Sequence, residues 1–181
     1  VVDEHGVTLD VDHVIDASGQ TALVARQLGL VQPLEDLRAV ASYGYLDGDA
    51  ALPGALGREA TLIVSRPEGW MWWIPVGASR TSLGFVTHDA AALPRGDEGR
   101  VRLLALAREA GLPVPPDATP DAIGPLRTTR DWSYRTTSRN GPGWTAVGDA
   151  AGFVDPILSG GVDFAVRDAC NTALALLRAR D

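Results

Sequence analysis

Asp149, flanked by Gly148 and followed by Gly160 and Gly161, is the carboxylate best suited to ligand chemistry. It sits in Val147-Gly148-Asp149-Ala150-Ala151-Gly152, directly after a short apolar run. A carboxylate offers several lone pairs, which suits ribityl or ribose hydroxyls. The alternative is that Asp149 caps a helix. Downstream, Pro156-Ile157-Leu158-Ser159-Gly160-Gly161 opens a helical pattern. Free N–H groups at a helix start, backed by the helix dipole, form an anion or carbonyl site; the alternative is a flexible cap. Upstream, Val14-Ile15-Asp16-Ala17-Ser18-Gly19 ends a strand-like run in small residues. Ala17 and Gly19 there would let the backbone approach a bulky ligand, or form an ordinary strand-to-helix turn. Finally, Trp70-Met71-Trp72-Trp73-Ile74-Pro75 packs three indoles into four positions. In a strand, Trp70 and Trp72 share one face and Trp73 takes the other. Such indoles either line a passage and exclude water, or fill a core.

Composition narrows the field. The net charge is −7, which argues against nucleic-acid binding. No apolar run approaches a membrane span, and the opening residues do not form a signal peptide. A cytoplasmic location is expected. Cys170 is the only cysteine, and His5, His13 and His88 are scattered, so no metal site is expected. All 16 basic residues are arginines. Chemistry that needs a lysine ammonium therefore cannot come from this stretch. Met71 is the only methionine, so the chain does not open at a translation start.

Positioning these residues requires a mixed fold. Residues 7–14 alternate and lead into a buried strand at 13–17. Helical spacing follows over 21–30. Strand-like runs at 39–46, 61–65, 69–76 and 81–86 predict an antiparallel sheet. The spacing predicts a helix over 97–111, opened by Asp97-Glu98 and closed by Gly111. A proline-rich connector without regular structure covers 112–125, then a strand at 126–135 and a short one at 144–147. A long helix is predicted within 159–180. The fold class is α/β (α+β mixed). Part of a Rossmann-like FAD/NAD(P)-binding domain is expected at 1–34 and again at 141–181, with an antiparallel-sheet substrate domain at 35–140.

These segments together resemble the flavin-dependent halogenases of the flavoprotein monooxygenase superfamily. Asp16-Ala17-Ser18-Gly19 is similar to the family's second dinucleotide contact, and Gly148-Asp149 to its ribityl contact. The stretch from Gly152-Phe153-Val154-Asp155-Pro156 to Ser159-Gly160-Gly161-Val162 resembles the halogenase form of that region. Trp70, Trp72, Ile74 and Pro75 fit the hexapeptide W-x-W-x-I-P, which separates halogenases from ordinary flavin monooxygenases.

The resemblance implies FAD, used as FADH2, bound through Ala17, Gly19, Gly148, Asp149, Pro156, Gly160 and Gly161. It implies a halide, chloride or bromide, near Ser159, Gly160 and Gly161. A separate flavin reductase would supply reduced flavin, and hypohalous acid would halogenate a small aromatic substrate. The family's G-x-G-x-x-G and catalytic lysine are missing here and belong upstream of Val1. No catalytic residue is therefore assigned in this chain, which alone is expected to be inactive. Tryptophan halogenases carry glutamate where this chain has Leu158, which favours a phenol- or pyrrole-type substrate, free or carrier-bound. Two other readings remain open. One is an aromatic hydroxylase or prenyl reductase of the same fold; the other is a truncated, non-catalytic binding module.

Overall fold

A computed structural model describes residues 2, 4–48, 57, 60–130 and 132–179. Asp131 and Arg180, which belong to the expected strand and helix, lie outside them. The chain divides into two units, one formed by Val1–Leu37 with Trp132–Asp181, the other by Arg38–Asp131. The class is mixed helix and sheet, and its sheets are mainly antiparallel.

The second unit is built on a five-stranded antiparallel sheet. Its strands are β3 (Val40–Asp47), β4 (Leu62–Arg66), β5 (Gly69–Pro75), β6 (Arg80–Thr87) and β7 (Arg127–Arg130). Their order is β4-β5-β6-β3-β7. Alternation decides which side is buried. Leu46, Met71, Trp73, Leu83 and Phe85 point to one face, against Leu103, Leu104 and Ala107 of helix α2 (Gly96–Glu109). That helix forms as its sequence dictates, with Asp97 and Glu98 in the first turn and Arg108 in the last. The proline-rich connector holds one short 3-10 turn, Pro120–Ala122.

The first unit is made of two small sheets. Strand β1 (Val14–Asp16) pairs in parallel with β10 (Trp144–Ala146), which pairs antiparallel with β9 (Asn140–Gly141). A second sheet has the order β11-β8-β2, from Gly152–Phe153, Tyr134–Thr136 and Val31–Pro33. The short helix α1 (Leu23–Gln27) and the long α3 (Gly161–Arg178) complete it. In α3 only a narrow stripe, including Ala165, Asp168, Thr172 and Leu176, is half-buried. Its broad apolar side, with Val162, Phe164, Val166, Leu174 and Leu177, is exposed.

Several expectations need correction. The helix expected over 21–30 is only five residues long, because Gly19–Thr21 form a 3-10 turn and Ala22 adopts a left-handed conformation (φ 44°) that blocks helical continuity. The strand expected at 126–135 is two strands in different sheets, β7 in one unit and β8 in the other. Alternation over 7–14 yields only a lone bridge between Val2 and Thr8. Among the described residues, no helix is long and apolar enough to cross a membrane.

Candidate functional site

The first unit gathers three of the sequence segments around the 3-10 turn Gly148–Ala151. The turn packs against the Gly19–Thr21 turn, against α1 and against the start of α3. Ala17 and Gly19 lie in the loop and turn after β1, and Gly148 and Asp149 follow β10. Pro156 opens a single 3-10 turn ending at Ser159 (φ 51°), and Gly160 caps α3. Trp70, Trp72, Ile74 and Pro75 belong to the other unit, on β5.

Gly148 shows why a small residue is needed. Its φ is +57°, and a Cβ there would lie 3.0 Å from the Cβ of Ala165. Its N–H donates to Asp168 Oδ2 at 3.0 Å. Glycine therefore lets the turn press against α3 while an α3 carboxylate anchors its first amide.

Asp149 is half-buried, and its carboxylate has no hydrogen-bond partner among the described residues. It does not cap a helix, since Val147 occupies that place and makes no side-chain cap. A Cβ on Gly161 would sit 3.5 Å from Asp149 Oδ1, so the carboxylate lies beside the first turn of α3. The main-chain carbonyl of Asp149 accepts the Tyr134 hydroxyl proton. Burial pushes the Tyr134 phenol upward, and the negative charge of Asp149 adds to that, partly offset by Arg26. The Arg26 guanidinium lies 5.7 Å from the Tyr134 ring centre.

Sequence reasoning missed three supporting residues: Asp16, Asp168 and Tyr134. Asp16 is only 4% exposed. Its carboxylate accepts from Ser18 N–H at 3.0 Å and Val24 N–H at 2.8 Å, tying the end of β1 to α1. Burial alone would raise its pKa. Hydrogen bonds from the Ser18 side chain and from the amides of Val24 and Ser18 outweigh it, so the net pKa is lowered. A depressed carboxylate stabilises the fold above its unfolded pKa of about 4, and that contribution vanishes as pH falls through the folded value. Asp16→Asn is therefore expected to flatten the acid side of the stability profile of the full-length protein. Circular dichroism of wild type and variant between pH 2 and pH 7 (roughly, the carboxylate range) checks this. Parallel acid limbs would contradict it.

In the other unit, Trp73 is fully buried while Trp70 and Trp72 are half-buried on the opposite face. The Trp70 and Trp72 rings lie 5.7 Å apart, and Tyr43 meets Trp72 at 5.8 Å. Trp72 Nε1 donates to Ser82 Oγ at 2.9 Å, which fixes the indole edge. Both motif tryptophans therefore belong to an ordered aromatic row, and Trp73 alone is core. Among the described residues, no cluster of three or more His, Cys, Asp or Glu side chains is placed to hold a metal.

The profile of the tryptophan halogenase family matches residues 1–180. The chain belongs to the tryptophan halogenase family. Its relatives in that family include a tryptophan 2-halogenase from Chondromyces crocatus, 30% identical, with 93% of this chain and 33% of the relative covered. A 1H-pyrrole-2-carbonyl-[peptidyl-carrier protein] brominase from Pseudoalteromonas luteoviolacea is also 30% identical, over 98% of this chain and 44% of the relative. Among solved structures, the myxobacterial chondrochloren halogenase CndH superposes with a TM-score of 0.74 at 32% identity, covering 96% of this chain and 43% of that one. The chain spans roughly a third to less than half of the length of these halogenases.

Proposed function

We propose that the protein to which this chain belongs halogenates an electron-rich aromatic compound with FADH2, dioxygen and chloride or bromide. The first unit would carry FAD and the second would face the substrate. The partnerless, half-buried carboxylate of Asp149, beside the start of α3, is the observation that carries this reading. A carboxylate that no protein donor occupies keeps its lone pairs open to donors from a ligand. A ribityl hydroxyl is such a donor.

The residues fit the cofactor. Asp149 would accept its hydroxyls, and Ala17 and Gly19 would let it approach the loop after β1. Pro156, Gly160 and Gly161 would border its ring, and Ser159 with the amides of Gly160 and Gly161 would hold halide at the α3 start. Bound reduced flavin would supply, with dioxygen, the oxidising equivalents that turn halide into hypohalous acid. Trp70 and Trp72 would exclude water from the second unit's aromatic row.

Leu158, apolar where tryptophan halogenases carry glutamate, supports a phenol- or pyrrole-type substrate, free or bound to a carrier protein. A separate flavin reductase would be the partner. The test uses full-length protein with a flavin reductase, bromide or chloride, and free phenols and pyrroles. Products carrying the halogen isotope pattern by mass spectrometry are expected. Hydroxylated products instead would move the assignment to a flavin hydroxylase.

A further inference from the structure

The second unit holds a cavity of about 520 Å3 at one end of its sheet, where β3 starts and β6 and β7 stop. Arg38, Arg95, Arg130, His88 and Thr128 line it, beside the apolar Ala39 and Val40. Among the described residues, no carboxylate lines it. This concentration of cations is notable in a chain of net charge −7.

Two acids close in sequence to the lining residues already have partners. Asp89 accepts from the Ala91 amide at 2.9 Å, and Asp97 pairs with Arg100 at 2.8 Å. Arg38 and Arg130 keep interactions of their own. Each guanidinium carries five donors. Arg95 is the N-cap residue of α2, and one of its terminal nitrogens donates to the Ala90 carbonyl at 3.3 Å. His88 Nδ1 lies 2.6 Å from the Arg38 carbonyl. That oxygen only accepts, so Nδ1 carries the proton and Nε2 is the nitrogen left to meet a ligand. Planar guanidinium groups match phosphate oxygens in paired hydrogen bonds. The cavity falls within the usual range for small organic ligands, roughly 300–1,000 Å3, and far exceeds the needs of a bare ion.

We propose that this pocket binds a phosphate borne on an organic ligand, namely the phosphodiester of a carrier protein's phosphopantetheine arm. This rests on the carrier-bound branch of the proposed function. The arginines would fix the arm's charged root, while the apolar floor of Ala39 and Val40 accepts its carbon chain.

Full-length, FAD-loaded protein is titrated by calorimetry with phosphopantetheine as its methyl phosphodiester, which reproduces the arm's linkage to a carrier serine, and with pantetheine, which lacks the phosphate. Phosphopantetheine is expected to bind at least about tenfold more tightly, the size of one charge-assisted hydrogen bond. Arg95→Gln and Arg38→Gln should erase that difference without changing flavin content. Arg130→Lys should retain part of it, because the charge remains while the paired geometry is lost. Equal affinities for the two probes would overturn the proposal. So would an Arg95→Gln variant that loses FAD instead, since the phosphate held would then be the cofactor's. Failure of the halogenase reading is separately visible, as absent product from free aromatic substrate while phosphate-dependent binding persists.

Discussion

Gly69→Ala is expected to destabilise the second unit by about 3 kcal/mol or more, combining backbone strain with overpacking. Gly69 opens β5 with φ +153°, a conformation L residues rarely adopt. An added Cβ would lie 1.8 Å from the Val86 carbonyl oxygen. That oxygen belongs to the backbone of β6, so relief requires strands β5 and β6 to part. The β5–β6 pairing runs from Gly69↔Thr87 to Pro75↔Thr81, and the aromatic row of Trp70 and Trp72 stands on it. Gly77→Ala provides the control. It has a φ of +70° but open space around a built Cβ, so only strain of about 1 kcal/mol is expected. Urea unfolding of the full-length proteins, followed by tryptophan fluorescence, measures both. Equal losses in the two variants would show that the close approach to Val86 is not what demands glycine.

Asp149→Ala is expected to weaken FAD retention by about 10- to 100-fold, the worth of a hydrogen bond to a charged group. Folding should be nearly unchanged, because the Asp149 carboxylate has no partner among the described residues to lose. Asp168→Ala should do the reverse. It strips the Gly148 amide of its acceptor, at a stability cost of about 1–3 kcal/mol. The two variants thus separate binding from scaffolding within one turn. Flavin-to-protein absorbance after gel filtration, alongside melting temperature, reads both effects. An Asp149→Ala protein with full flavin and wild-type melting would remove the central support for the flavin site.

Much of the second unit was legible because its signals are local. Alternation along β5 placed Trp73 opposite Trp70 and Trp72, and Asp97, Glu98, Leu103, Leu104 and Ala107 marked α2 by charge and spacing. The first unit was less legible because its decisive contacts are distant in sequence. Nothing near Tyr134 indicates that its hydroxyl reaches the Asp149 carbonyl, and nothing near Asp168 points to Gly148. The stretch 126–135 reads as one run of strand-like residues, yet β7 and β8 join different sheets, and Trp132 and Ser133 between them are buried. The Asp16-Ala17-Ser18-Gly19 run was readable as a motif, yet the anchoring of α1 by Asp16 follows only from the folded loop.

The parallel pairing of β1 with β10 has a consequence during synthesis. Residues Val14–Asp16 leave the ribosome long before Trp144–Ala146 exist. At about 5–20 residues per second, β1 waits on the order of ten seconds for its partner strand. The second unit is continuous in sequence and can close during that interval. The nascent chain therefore passes through a stage with a finished inner module while Val14–Asp16 still lack β10, the stage at which a chaperone would matter most.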